Sequence, residues 1–294
     1  SRVSEKDFRL PIAEGDLSRE LLPIHGRLTQ TLDELRRAFE REKQAVADLS
    51  HELKTPLAAL LTSAGVALRK PRTAEQYKAT LEECRDISRQ LGRLVDRIMT
   101  LASLDAGNDR TVSERVDASD VATECAIITR PLAEAHGLTL TTAIDSDAEM
   151  DTDPDKLREV LTNLLGNAIE YNRPGGSIDV RVAADRGRVT FTVRDTGIGM
   201  TPEVRAKIFE RFYRADPSRT QTGVHAGLGL AIVAEYVGRL GGTIAVESEP
   251  GVGSTFRVTL PTNGVALPDT SGAVGRSGFT PLLLPRVRSA AGAD

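Results

Sequence analysis

Along residues 32–104, apolar positions recur three and four apart, the period of a helix that buries one stripe. Leu57, Leu60, Leu61, Ala64 and Leu68 form one such stripe, and Leu91, Leu94, Val95, Ile98 and Leu101 a second. Lys70-Pro71-Arg72-Thr73 interrupts the run; Thr73 can cap the helix that follows, with Glu75 and Glu82 behind it. The pattern predicts a helical hairpin of two long arms. Each arm buries only one stripe, too little core to stand alone. Pairing of two hairpins into a four-helix bundle, a homodimer, is the simplest expectation.

From about Asp109 the texture changes. Short β-rich runs at 138–142, 178–183, 189–194, 243–248 and 255–260 are interspersed with turns or loops such as Arg173-Pro174-Gly175-Gly176 and Asp185-Arg186-Gly187. Helical patterns lie between them, notably over 155–171 and 228–240. The expected fold class is therefore α+β: the dimerising hairpin, then an α/β sandwich with helices on one face of a mixed sheet. Turn signals at Pro11, Gly15, Pro23 and Gly26 make residues 1–30 a linker with short helical pieces. The helical domain is expected over 31–108 and the sandwich over 109–262. Residues 263–294, rich in Gly, Ala, Ser and Pro without periodicity, read as a disordered tail.

Composition narrows the picture. Aromatics make up 4% of the 294 residues and Trp is absent, so the core must come from Leu, Val, Ile and Ala. Lys and Arg number 38 against 42 Asp and Glu, a net −4, which gives no reason to expect a nucleic-acid partner. Two cysteines, Cys84 and Cys125, cannot make a disulfide framework and fit a reducing compartment. The most apolar window, residues 57–68, is broken by Thr62, Ser63 and Gly65 and falls short of the ~18 apolar residues of a membrane span. No signal-peptide pattern is present. The chain opens on Ser1 rather than Met, so the expectation is that its true N-terminus, and any membrane anchor with it, is missing.

Four constellations carry candidate chemistry. In Ser50-His51-Glu52-Leu53-Lys54-Thr55-Pro56, His51 and Thr55 lie four apart on one helix face, and Pro56 removes the hydrogen bond to the Glu52 carbonyl beside them. Thr at 55 excludes the two-histidine zinc motif, and no metal-ligand spacing is visible. In Asn163-Leu164-Leu165-Gly166-Asn167, two amide oxygens share a face, hard neutral ligands suited to a Mg²⁺ that keeps waters and substrate phosphates. Asp153 and Pro154 cap and open that helix. Asp195-Thr196-Gly197-Ile198-Gly199 follows a strand; a carboxylate there can accept a purine's amino hydrogens while the glycines let backbone approach. Gly227-Leu228-Gly229 ends a glycine run from Gly223 that opens a helix and exposes N–H groups to an anion. Before it, Ile208-Phe209-Glu210-Arg211-Phe212-Tyr213-Arg214 reads as an aromatic anchor ahead of a polar loop, the pattern of a lid.

Taken in order, His51 to Pro56, Asn163 to Asn167, Asp195 to Gly199, Phe209 to Phe212 and Gly227 to Gly229 resemble the H, N, first glycine, F and second glycine boxes of bacterial sensor histidine kinases. The likeness covers residues 40–262. It implies a Bergerat-type ATP-binding domain and autophosphorylation of His51 by ATP. His51 would be the nucleophile, Glu52 would fix its tautomer and take its proton, and Thr55 would orient water for dephosphorylating a response regulator's receiver domain. Asn167 would bind Mg²⁺, with Asn163 a second polar contact near the phosphates. Asp195 would read the adenine amino group; Gly197, Gly199, Gly227, Leu228 and Gly229 would shape pocket and lid, and Arg214 would reach the phosphates. The chain would be the cytoplasmic portion of an inner-membrane sensor. One departure stands out: Glu170 occupies a position where many members carry Lys. Residues 10–17, followed by Leu32-Asp33-Glu34-Leu35, look partly like a HAMP relay.

The rival reading is an ATP hydrolase of the gyrase, mismatch-repair or chaperone type, which resembles this fold but places a Glu one turn before the Mg²⁺-binding Asn. Here that place is Asn163, which cannot take a proton, and Glu159 lies two turns before Asn167. A third reading, a dimeric scaffold with a degenerate site, rests on Glu170 alone. Finally, Arg85, Arg89, Arg93 and Arg97 repeat every four residues, drifting by ~40° per step, and are expected either to form a solvated face or to dock an acidic partner.

Overall fold

The computed structural model describes residues 22–144, 148–215 and 227–263. The HAMP-like segment at 10–17, residues 216–226 of the expected lid and glycine run, and all but the first residue of the 263–294 tail lie outside the described residues. Two compact units divide within a helix, between Leu91 and Gly92.

The first unit is helical. α1 spans Leu22–Leu68, and α2, Ala74–Asp105, begins in it and crosses the boundary. α1 is one unbroken helix that runs through Pro56. It starts before the Leu32 onset that periodicity suggests, taking in Pro23 and Gly26 instead of stopping at them. The helices join through residues 69–73, where Thr73 Oγ1 accepts the Gln76 N–H at 3.3 Å and Gln76 Oε1 accepts the Thr73 N–H at 3.2 Å. That reciprocal pair is a capping box, with Gln76 in the acidic residue's usual role. Leu57, Leu61, Val66 and Leu68 on α1, with Tyr77 and Leu81 on α2, remain exposed in the single chain.

The second unit is a layered α/β fold. Its five strands are β2 (Thr139–Ile144), β4 (Ser177–Asp185), β5 (Arg188–Asp195), β6 (Thr243–Glu249) and β7 (Gly253–Pro261), in the order β2-β4-β5-β7-β6. β2 and β4 run parallel and the other pairs antiparallel, so the sheet is mixed. β5 is the central strand. Its Val189, Phe191 and Val193 are buried while the residues between them alternate outward, the period of a half-buried strand. Three helices complete the layer: α3 (Ala118–Ala135), α4 (Pro154–Glu170) and α6 (Gly229–Arg239), with a single turn, α5, at Pro202–Arg205.

α3 and a two-stranded ribbon escape the periodicity. Ile127-Ile128-Thr129 is β-branched and Pro131 lies inside α3, both poor helix signals; the small residues Ala122, Cys125 and Ala126 bury the helix nonetheless. In the ribbon, β1 (Glu114–Asp117) pairs antiparallel with β3 (Glu149–Thr152), and Arg115 bridges Glu149 and Asp151 across it. Such short charged strands are specified by their partner more than by their own composition.

α4 organises this unit. Leu157, Val160, Leu161, Leu164, Leu165, Ala168 and Ile169 are buried at helical spacing. Asp153 caps it, accepting the Lys156 N–H at 3.1 Å, and Pro154 takes the first turn. Asp153 also accepts the Val112 N–H at 2.9 Å and the Lys156 ammonium at 3.0 Å, fastening the segment after α2 to the cap. Burial alone would raise its pKa, but those N–H bonds and the ammonium together hold it below the usual carboxylate value. Asp153→Ala should cost about 2–4 kcal/mol in a denaturant titration, since it removes a cap and strips Lys156 of a buried partner. Because the folded-state pKa is depressed, the wild type should lose this advantage over the variant as pH falls through that pKa, below the ordinary 3.8.

Candidate nucleotide site and phospho-acceptor helix

β5 ends on Asp195, which is 7% exposed. Its Oδ1 accepts the N–H of Gly197 at 2.9 Å and of Ser254 at 3.1 Å. Burial raises its pKa above the ordinary carboxylate value, and the two N–H bonds oppose the rise. Both bonds fall on Oδ1, so Oδ2 is left to meet a ligand in the cavity that Asp195 lines with Asn167, Tyr171, Gly199, Arg214 and Gly229. Backbone contacts fix the rim. Ile198 N–H donates to the Tyr171 carbonyl at 3.0 Å, and Gly251 N–H to the Ile198 carbonyl at 2.7 Å. Gly199 has φ +65°, and a Cβ there would collide with the Glu249 backbone, so glycine is required twice over.

Asn163, Asn167 and Glu170 share the half-buried face of α4 opposite its core stripe. Asn167 lines the cavity. Asn163 donates from Nδ2 to the Glu159 carbonyl at 2.8 Å, and its Oδ1 lies against Gly229, where a Cβ would come within 2.8 Å. The amide oxygens present a hard, neutral donor set. No group of three or more His, Cys, Asp or Glu among the described residues could hold a metal ion, so a cation here would rely on substrate phosphates for its remaining ligands.

Arg214 also lines the cavity. The Phe209 to Phe212 stretch anchors it from below: Phe212, at φ +61°, donates its N–H to the Gly227 carbonyl at 3.0 Å, joining the two sides of the expected lid at their base. Arg211 meets Asp105, the last residue of α2, through two bonds of 2.6 and 2.7 Å. Leu228, between the cavity-lining Gly227 and Gly229, has a wholly buried side chain. Gly197 contributes through its N–H to Asp195 rather than by lining the cavity.

Rather than completing an exposed arginine stripe, Arg97 is half-buried, and the charges of Glu159 and Glu170 of α4 act on its guanidinium. Arg85 and Arg89 are solvated and pair with Asp86 at 3.1 and 3.8 Å. For Glu170, burial pushes the pKa up to about 6, although the charges of Arg214 and Arg97 pull it down. Glu159 is half-buried and engages the Tyr236 hydroxyl of α6. Sequence reasoning did not foresee Tyr236, Lys156 or the role of Arg97, because each is chosen by a partner distant in the chain.

On α1, His51 is exposed, Glu52 half-buried and Thr55 exposed, with the Thr55 hydroxyl donating to the His51 carbonyl at 3.2 Å. His51 and Thr55 thus sit one turn apart on one accessible face, as their spacing requires.

A helical segment with an accessible histidine, joined to a layered domain with this cavity, defines a class. Residues 41–107 match the His Kinase A (phospho-acceptor) domain and residues 152–264 the histidine kinase-, DNA gyrase B- and HSP90-like ATPase family. The chain belongs to the bacterial two-component sensor histidine kinases. It is 34% identical to the sensor protein IrlS of Burkholderia pseudomallei strain K96243, over 88% of this chain and 56% of that protein. It is 30% identical to the sensor histidine kinase CusS of Escherichia coli K12, over 88% of this chain and 54% of the relative. The chain therefore spans about half the length of these relatives. Among solved structures, full-length ShkA in complex with AMPPNP superposes with a TM-score of 0.58 at 31% identity, covering 76% of this chain and 46% of that one. The complex of histidine kinase ThkA with response regulator TrrA superposes at 0.62 but 20% identity, over 77% of this chain and 64% of that one, a likeness of fold.

Two measurements check the site's physics. Gly199→Ala should abolish ATP binding and lower the melting temperature, because the added Cβ meets backbone that cannot move aside. For Glu170, the folded pKa of about 6 exceeds the ordinary 4.5, so ionisation opposes folding. The wild type should lose stability relative to Glu170→Gln as pH rises from 4.5 to about 6, in paired denaturant titrations.

Proposed function

We propose that the chain transfers the γ-phosphoryl group of ATP to His51 and passes it to an aspartate of a response regulator's receiver domain. The observation that carries this reading is the pairing, in one chain, of an exposed imidazole on α1 with a cavity built around a buried carboxylate. In the first step a ring nitrogen of His51 attacks phosphorus, the bond to the ADP oxygen breaks, and the ring proton passes to Glu52. Adjacent helical positions do not face each other directly, so Glu52 reaches the imidazole through its rotamer. Asp195 accepts the adenine amino hydrogens on Oδ2, which selects adenine over a base carrying a carbonyl there.

Asn167, with Asn163 beside it, would hold Mg²⁺ bound to the phosphates. When bound, that ion neutralises developing phosphate charge, which carries much of phosphoryl transfer. Arg214 adds a further positive charge and orients the phosphates. Thr55 positions water for hydrolysis of the receiver's acyl phosphate, giving phosphatase activity. Against simple ATP hydrolysis stands the lack of a base in position: Asn163 is an amide and Glu159 is engaged by Tyr236 outside the cavity lining.

Homodimerisation is supported by the exposed apolar residues of α1 and α2, which a four-helix bundle would cover. The reading of the chain as the cytoplasmic portion of an inner-membrane sensor is supported by relatives of about twice its aligned length. Among the described residues no helix is long and apolar enough to cross a membrane.

Incubation with γ-labelled ATP tests the central step. Acid-labile, alkali-stable label should appear on the chain, disappear in His51→Gln, and fall by at least ~100-fold in Asp195→Ala. Label that persists in His51→Gln would defeat the assignment. Thr55→Ala should keep autophosphorylation within about 3-fold yet lose dephosphorylation of the receiver by ~10-fold or more, as expected for loss of a water-orienting group.

A further inference from the structure

α3 packs through small buried residues, Ala122, Cys125, Ala126 and Ala133, and turns bulky ones outward. Ile127, Ile128 and Leu132 are 61%, 67% and 51% exposed, and Pro131 beside them is exposed too. Ile128 and Leu132 are one turn apart and Ile127 adjoins them, so the three form one apolar patch. Helix formation gives no reason for it, because two adjacent isoleucines are stiff at χ1 and weaken a helix. Among the described residues from β1 onward, the other exposed large apolar side chains, Ile198 and Val252, lie outside helices and strands. An apolar patch gathered on one helix face marks a surface for association. Acidic residues flank it: Asp120 and Glu124 toward the start of α3, and Glu134 beyond Leu132, all exposed. Of these, Glu124 also meets Arg158, at 3.4 Å.

The same chain carries a segment of matching chemistry. In Phe279-Thr280-Pro281-Leu282-Leu283-Leu284-Pro285, Phe279 and the three leucines gather between Arg276 on one side and Arg286 and Arg288 on the other. Pro281 and Pro285 disfavour a helix through the run, so its apolar residues do not form a helical stripe of their own. An apolar run between arginines complements an apolar patch between carboxylates.

The chain also leaves the sheet close to α3. Thr262 accepts the Asp151 N–H at 2.8 Å and donates to the Gly187 carbonyl at 2.9 Å. Asp151 pairs with Arg115 in the β1–β3 ribbon, and α3 begins at Ala118, just past the end of β1. The path from Thr262 across the ribbon and along α3 to Ile128 is at most about 30 Å at standard strand and helix rises. Residues 263–278 reach about 55 Å when fully extended, and a coil of that length averages about 22 Å end to end. The tether therefore matches the span, the condition under which an attached segment has its highest effective concentration.

We propose that residues 279–285 dock on the outer face of α3 in the same chain. Phe279 and the three leucines cover Ile127, Ile128 and Leu132, and the flanking arginines meet Asp120 and Glu134. Because α3 packs on α4, the docked segment braces the helix that carries Asn163 and Asn167.

Disulfide trapping in the full chain tests this. In a Cys84→Ser background, which leaves the buried Cys125, Ile128→Cys is combined with Leu283→Cys. The control combines Leu283→Cys with Arg194→Cys, an exposed site on β5 about 20 Å along the strand from the Arg188–Pro261 pair. Both sites lie within the same tether reach, so chance collision gives the two pairs similar rates. Under mild oxidation the α3 pair should close at least ~10-fold faster than the control, within one chain. Adding Leu282→Asp and Leu284→Asp should bring it down to the control rate. Equal rates for the two pairs, or an α3 pair indifferent to the two aspartates, would overturn the proposal. A disulfide that links two chains instead, seen as a covalent dimer, would overturn it in favour of a second copy's segment. No arm of the experiment uses nucleotide, so its outcome is independent of phosphoryl transfer.

Discussion

The nucleotide site depends on a carboxylate that is costly to bury and is held in place by the sheet's central strand. Asp195 closes β5, whose inward side chains are fully packed, so its position is set by the stiffest part of the domain. Desolvation works against its charge; two N–H groups, one from the following turn and one from the start of β7, offset part of that cost. The same two bonds both fall on Oδ1, leaving Oδ2 for the proposed adenine contact. The glycines around it follow from this closeness: the backbone of Gly253 lies directly against Asp195 and Thr196, where any side chain would clash.

α4 connects that centre to the rest of the unit. One stripe of the helix is core; the opposite face carries Asn163, Asn167 and Glu170, of which Asn167 lines the cavity. Its first turn holds Lys156, buried among Asp153, Asp109 and the Arg110 carbonyl, so the chain leaving α2 is pinned to the cap. Arg239 of α6 reaches back to the Leu104 and Asp109 carbonyls, and Arg211 to Asp105. The end of α2 and the segment after it are thus tied into the nucleotide-binding unit by polar contacts from Lys156, Arg211 and Arg239. Such contacts are directional and exchangeable with water, unlike the close-packed interior of the sheet. The helical unit follows a different logic: His51 is displayed rather than sheltered, and the apolar residues left exposed there suit association with another helical surface.

The sequence by itself determined the helix–turn–helix opening, the five main strands, the capped α4 and the residue types of the site. Each rests on local physics: helical or alternating period, a Thr or Asp that can cap, glycines where the backbone must turn. His51 and Thr55 share a face because the helical repeat demands it. Asp195, Asn167 and the glycines were legible because their order along the chain is distinctive. Tertiary structure decided the rest. α3 forms despite Pro131 and a β-branched run because its small residues fit against α4 and β2, and β1 and β3 exist only as each other's partner. The Leu228 side chain is buried, and Arg97 left its apparent exposed stripe for a half-buried place where the charges of Glu159 and Glu170 act on it. A single sequence carries the chemistry of a charge but not the identity of what faces it, because that partner lies dozens of residues away and is chosen only when the core closes.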